Sequence, residues 1–189
     1  MARLVYTTLC SVDGYSADAD GRFDWAAPDD EVHAFINDVE RDVGTYLLGR
    51  RIHEVMVFWD TAPTRAPDGS AGSVGHDYAR VWRAADKIVY SRTLAALSAP
   101  RTVLEHDFNP AAVARMVAVA ESDVSIGGAH LAAEALRAGI VDEVRLLRVP
   151  VVVGGGTPVL PEGVRFDAVL LDSRSFAGGA TWTRYAVRR

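Results

Sequence analysis

Apolar positions along this chain come in short unbroken runs and in stripes spaced three and four residues apart, and the alternation of the two predicts strands followed by helices. Leu4 to Cys10 reads as a first strand, and Ser11-Val12-Asp13-Gly14 turns it into a polar loop running to Asp24-Trp25. From Asp29 onward Val32, Phe35, Ile36 and Val39 recur with the spacing of one buried helix face. Tyr46-Leu47-Leu48 is a short buried strand ending at Gly49, and Ile52 to Phe58 has helical character. Lys87 to Tyr90 and Thr102 to Leu104 read as two more strands. Asn109 as N-cap and Pro110 at the first helical position open a helix with Val113, Met116, Val117 and Ala120 inward. Val124 to Ile126 runs into Gly127-Gly128 and an Ala-rich helix from Ala129 to Ala138, stopped by Gly139. Val144 to Val153 and Val164 to Leu171 read as long strands, and Thr181 to Val187 as a closing strand. The class is α/β, a mostly parallel sheet with helices on its faces. Thr61 to Asp77, crowded with Pro, Gly, Ser and Ala, stands apart as a mobile loop, either a lid or a passive connection.

Composition narrows the possibilities. A length of 189 residues with 49% hydrophobic and 24% charged content suits a single domain spanning residues 1–189. The net charge of -5 and the scattered arginines provide no basic field for a nucleic-acid backbone. No apolar run approaches the length that spans a bilayer, and Met1 to Tyr6 lacks a secretory leader pattern, so the expectation is a cytoplasmic protein. The single cysteine, Cys10, lies in an apolar segment without a neighbouring His and reads as a small core residue.

Three strand ends carry candidate chemistry. At Ile126-Gly127-Gly128-Ala129-His130-Leu131 the absent side chains leave the main chain approachable, and the free N–H groups of the following helix suit a phosphate, although a tight packing turn has the same pattern. Gly49-Arg50-Arg51 follows a buried strand, and the two guanidiniums suit bidentate phosphate contacts; two solvated arginines are the plainer reading, disfavoured by the helix dipole. Ser91-Arg92-Thr93 offers two hydroxyls and a guanidinium in a third such turn. Strand ends of this kind line the carboxyl edge of an open sheet, where ligands bind.

Taken in order, Ser11 to Tyr15, Asp24-Trp25, Leu48 to Arg51, Lys87 to Thr93, Ile126 to Ala129 and Gly139 to Gly156 resemble the dihydrofolate reductase superfamily. The chain is most similar to the stand-alone branch related to the C-terminal reductase domain of the bifunctional riboflavin-biosynthesis deaminase-reductase. The resemblance implies a three-layer fold with an antiparallel C-terminal strand, a homodimer, and NADPH extended across the strand ends. Gly127 and Gly128, whose peptide is often cis in that family, would contact the pyrophosphate. Arg50, Arg51, Ser91 and Arg92 would surround the 2′-phosphate, and Thr8 and Leu9 with Ser16 and Ala17 would lie against the nicotinamide. The implied activity is hydride transfer to a C=N or C=O group of a small, flat, polar substrate. Reduction of 5-amino-6-(5-phosphoribosylamino)uracil and a non-catalytic NADPH- or pterin-binding module are the alternatives.

Departures from the family pattern matter. Ile52 stands where a threonine hydroxyl is usual, Ile126 stands where riboflavin reductases tend to carry a glutamate, and the deaminase zinc motifs are missing. For the proton, the candidates are Asp13, a first-turn carboxylate such as Asp30, or water; Asp29, Asp30 and Glu31 also suit helix capping. Trp25 and Trp59, with Phe58, read either as an aromatic wall for a heterocycle or as core. His130 and Glu134 have no third partner nearby in sequence, so no metal site is expected. His33, His53, His76 and His106 read as surface or loop residues, and Gly154-Gly155-Gly156 as a flexible turn beside the active site or at a subunit contact. The apolar run Val144 to Val153 suits either a homodimer contact or buried core.

Overall fold

The computed structural model describes residues 1–70 and 72–188. In chain order the elements are β1 Leu4–Cys10, β2 Tyr15–Ala17, a 3-10 turn Asp24–Ala26, α1 Asp30–Glu40, β3 Val43–Gly49, α2 Arg50–Met56, α3 Phe58–Thr61, α4 Val74–Ala84, β4 Asp86–Tyr90, β5 Thr102–Glu105, α5 Pro110–Val119, β6 Asp123–Gly127, α6 Ala129–Arg137, β7 Glu143–Arg148, β8 Thr157–Pro158, β9 Asp167–Ser175 and β10 Thr181–Arg188. Eight strands form one sheet in the order β5-β4-β3-β6-β1-β7-β10-β9, and β2 with β8 makes a small second one. The strands from β5 to β7 run parallel, and β10 and β9 close the edge antiparallel, as the resemblance implied.

Burial on both faces explains why the inner strands read as unbroken apolar runs. On one face α5 and α6 press Val113, Val117, Leu131, Ala132, Ala135 and Leu136 onto Leu4, Tyr6, Leu47, Val124, Ile126, Val144 and Leu146. On the other, α4 packs Tyr78 and Trp82 against Tyr46, Leu48 and Val89, while α1 packs Val32 against Leu147 and Trp182. The caps behave as the sequence suggests: Asp29 Oδ1 accepts from Val32 N–H at 2.9 Å, and Asn109 Oδ1 accepts from Ala112 N–H at 3.1 Å.

Several expectations are corrected. β7 stops at Arg148 and does not continue to Val153, because Val149 and Pro150 turn the chain out of the sheet. Lying between β1 and β10, β7 is buried and is not a dimer edge. The strand expected at Val164 begins at Asp167, and Val164 and Phe166 pack instead against the core beside α6. Within Thr61 to Asp77, residue 71 lies outside the described residues; the rest is no free lid. α4 already starts at Val74, with Ser73 and His76 capping it reciprocally. Arg83 donates to the carbonyls of Trp59 and Ala62, and Arg65 to that of Gly69. Tyr78, Val81 and Trp82 carried the helical spacing that marks α4. His53 is buried in α2 and His33 is half-buried on α1, so neither is a loop residue.

The amino ends of β1, β6 and β7 are tied by charge to one another and to Arg184 of the antiparallel β10. Glu143, 1% exposed, meets Arg3 at 2.7 Å, Arg145 at 2.5 Å and Arg184 at 2.9 Å, and Arg3 also meets Asp123 at 2.5 Å. Removing the shared carboxylate leaves a buried guanidinium without its closest counter-charge. Glu143→Ala is therefore expected to lower unfolding stability by about 3 kcal/mol. Urea denaturation should show the midpoint falling with an unchanged slope.

Candidate active site

Register brings the three strand ends together. Leu48 of β3 lies opposite Gly127 of β6, and Gly49 lies opposite Tyr90 of β4, so Gly49, Tyr90 and Gly127 stand side by side at the carboxyl edge. β1 pairs with β6 only through Tyr6 and Ile126, yet it pairs with β7 as far as Cys10 and Arg148. From Thr7 to Cys10 the β6 side of β1 has no strand beside it, and a slot opens in the sheet next to the diglycine.

Gly128 is the N-cap of α6 at φ +93°, a conformation that side chains rarely adopt. A Cβ at Gly127 would sit 3.0 Å from Leu48 Cδ2, and one at Gly128 would sit 3.3 Å from Ile52 Cγ2. The main chain is thus bare on its outer side and tightly backed on its inner side. The first helical bond of α6 runs from Ala132 N–H to Gly128 C=O at 3.0 Å, which leaves the N–H groups of Ala129, His130 and Leu131 without helical acceptors. The dipole adds to their attraction for an anion. The Gly127–Gly128 peptide is trans, as are all peptide bonds among the described residues, where the resemblance had allowed a cis form.

Arg50 opens α2 and donates to Thr93 Oγ1 at 3.1 Å, joining the β3 and β4 ends, while its Nε lies 3.5 Å from Glu54. Arg51 is exposed and makes no hydrogen bond or ion pair among the described residues. Arg92, also exposed, meets Asp107 at 2.9 Å. Ser91 departs from expectation. Only 7% exposed, its Oγ accepts from the N–H groups of Thr93 and Leu94, so it shapes the turn that presents Arg92 and Thr93. Ile126 and Leu131 point into the core, so only their main chain reaches this edge, whereas His130 is exposed.

The residues expected to meet substrate come from β1, the loop after it, the 3-10 turn, α1 and α3. Thr8 and Leu9 sit half-buried in the unpaired stretch of β1. Asp13 accepts from Val153 N–H at 3.2 Å and Gly154 N–H at 2.8 Å, strapping the loop after β1 to the glycine run. The Ser11 hydroxyl, together with these N–H groups, holds its carboxyl below the ordinary range. Asp13 is therefore ionised at neutral pH, and its role as proton donor is withdrawn. In the first turn of α1 the three acids divide their work. Asp29 caps, Glu31 pairs with Arg174 at 3.3 Å and accepts from Ala177 N–H, and Asp30 is exposed. Trp25 donates to the Arg22 carbonyl from the 3-10 turn. Trp59 packs edge-on against Tyr78 at 4.9 Å, Phe58 at 5.1 Å and His33 at 5.9 Å, and no ring contact joins it to Trp25 among the described residues. The surroundings of His33 were not legible along the chain, because its ring partners Trp59 and Tyr78 come from α3 and α4.

The model of the RibD C-terminal domain family matches residues 2–182. No curated protein matches the chain. Among solved structures, a Shewanella sp. PV-4 protein described as a riboflavin biosynthesis protein superposes with a TM-score of 0.74 at 21% identity, covering 100% of both chains. The Thermotoga maritima diaminohydroxyphosphoribosylaminopyrimidine deaminase/5-amino-6-(5-phosphoribosylamino)uracil reductase gives 0.66 at 11% identity, covering 99% of this chain and 57% of that one. Dihydrofolate reductase from Enterococcus faecalis, complexed with NADP(H) and RAB-propyl, gives 0.61 at 15% identity, covering 99% and 97%. These likenesses show a dihydrofolate reductase-like fold.

Gly128→Ala tests the cradle directly. The positive φ and the 3.3 Å approach to Ile52 are expected to cost about 1–3 kcal/mol, read as a lowered urea midpoint.

Proposed function

The chain belongs to the RibD C-terminal domain family, a reductase-type domain, and on that premise we propose that it is an NADPH-dependent reductase acting on a C=N or C=O group of a small polar heterocycle. One observation carries the reading: the diglycine, the free N–H groups of α6 and the arginines of two neighbouring strand ends stand side by side along one carboxyl edge of the sheet. The residues fit the cofactor. Gly127, Gly128 and the N–H groups of Ala129, His130 and Leu131 would hold the pyrophosphate. Arg50, Arg51, Arg92 and Thr93 would bind the 2′-phosphate, whose extra charge favours NADPH over NADH. Thr8 and Leu9 would border the nicotinamide in the slot beside β1. When bound, NADPH supplies the hydride. The protein's contribution is to align the acceptor carbon, exclude water and deliver a proton. Ile52, which closes over the diglycine, provides contact where a hydroxyl would have bonded.

Calorimetry with NADPH and NADH checks the cofactor. Binding of NADPH, with Arg51→Ala weakening it about tenfold and leaving NADH unchanged, is the expected result, since one charge-assisted hydrogen bond is worth about 1.5 kcal/mol. The absence of heat with either nucleotide would remove the proposal. Consumption of NADPH with at least one of a set of pterins, flavins, quinones and small carbonyls separates an enzyme from a binding module.

A homodimer belongs to the same reading. β9 is a bare edge strand with Leu170 54% and Leu171 47% exposed, and a second copy would cover it. Light scattering should give twice the chain mass, and Leu170→Lys with Leu171→Glu should halve it; a monomer in the parent chain would discard the dimer.

A further inference from the structure

With Asp13 committed to backbone N–H groups, the reductase reading, on which this inference rests, leaves the proton to a group on α1 or to water. α1 places His33 one turn after Asp30, on the flank facing α3 and α4. Its ring meets Trp59 at 5.9 Å and Tyr78 at 5.7 Å. The imidazole is half-buried and makes no hydrogen bond among the described residues, and neither ring nitrogen is sealed from solvent. The other histidines are spoken for or placed elsewhere. His53 is buried, His76 caps α4, His106 bonds the Ser91 carbonyl, and His130 lies on the diglycine side.

The surroundings place His33 at the carboxyl edge of the sheet, on the face that α1 and α4 cover. Trp59 shares an apolar patch with Leu48 and Ile52, the two side chains that back the diglycine. Val32 and Phe35, on the adjoining face of α1, pack with Leu9 and Leu147. Glu31 accepts from Ala177 N–H in the turn before β10, whose Thr181 pairs with Arg148 at the carboxyl end of β7, so the first turn of α1, with His33, stands at that carboxyl edge.

We propose that His33 is the general acid of this site, with the Asp30 carboxylate supporting its charged form. As the acceptor carbon of a C=N or C=O group gains hydride, a C–H bond forms and the π pair moves onto the heteroatom. That atom takes the proton from a ring N–H of His33, and the imidazolium becomes imidazole, to be recharged from water. The charges facing the ring are Asp30 on its own helix and Asp77 on α4, the latter held by Asn37 at 3.0 Å and Arg41 at 2.9 Å. From α3, Asp60 turns away to Trp82. Burial draws the imidazole below its ordinary 6.5, and the two carboxylates pull it back up. An acid of this kind is charged below its pKa, so kcat should fall as pH rises through that value.

The test joins a titration to kinetics. In NMR of the nucleotide-free chain, the His33 signal, assigned by its loss in His33→Gln, should titrate below 6.5, and Asp30→Asn should move it lower still. With NADPH and 7,8-dihydrobiopterin, or whichever pterin or carbonyl of the set reacts, His33→Gln should lower kcat about 100-fold. It should also abolish the fall of kcat with rising pH below 6.5 and leave NADPH affinity and melting temperature unchanged. A His33→Gln profile identical to the parent's overturns the proposal, as does an Asp30→Asn titration that does not move. Should His33→Gln not fold, the Asp30→Asn shift of both titration and pH profile decides. A parent chain that binds NADPH but reduces nothing overturns the donor and spares the cofactor site; one that binds no NADPH fails the reductase reading itself.

Discussion

The molecule turns on a mismatch of strand lengths: β6 leaves the sheet at Gly127 while β1 runs on to Cys10. Backbone groups in a sheet seek partners, and an unpaired stretch between two central strands is an opening that something else must fill. Here the opening lies beside a helix N-terminus and a glycine pair, in the crevice outside the carboxyl ends of parallel strands. Because β3, β4, β6 and β1 all run the same way, every loop leaving their carboxyl ends arrives at that edge. Parallel order therefore concentrates chemistry on one edge and leaves the opposite edge for stability.

The two edges use charge differently. At the amino edge Arg3, Asp123, Glu143, Arg145 and Arg184 are closely paired, with Glu143 and Arg145 buried, so the guanidiniums there are consumed by structure. At the carboxyl edge Arg51 has no partner among the described residues, and Arg50 and Arg92 hold only exposed ones. An exposed ion pair costs little to break, so these side chains remain available to an anion. In the loop after β1 and the first turn of α1 the acids are differentiated by partner alone: Asp29, Glu31 and Asp13 are each bound to backbone or arginine, and Asp30 stays exposed one turn before His33.

Much of the scaffold was legible along the chain. The Val32, Phe35, Ile36 and Val39 stripe, the Asn109-Pro110 start and the Gly139 stop depend on neighbours within a turn or two, and local sterics and capping settle such features. The glycine pair before α6 was legible for the same reason, since glycines before a helix act through backbone geometry. Strand limits were not. Pairing decides them, and β7 ends where its neighbours and Pro150 end it, although Val149, Val151, Val152 and Val153 are as apolar as the strand.

The sequence alone determined the α/β class, most of the sheet's strands, the helices α1, α5 and α6 and the glycine and arginine positions, because these rest on periodicity and backbone freedom. Only the tertiary structure decided which of several equivalent-looking polar residues were free. It withdrew Asp13 through bonds to residues 140 and 141 positions away, turned Ser91 into a turn cap, and set His33 against Trp59 and Tyr78. A side chain's protonation and availability depend on what packs against it, and those partners come from segments that no local pattern connects.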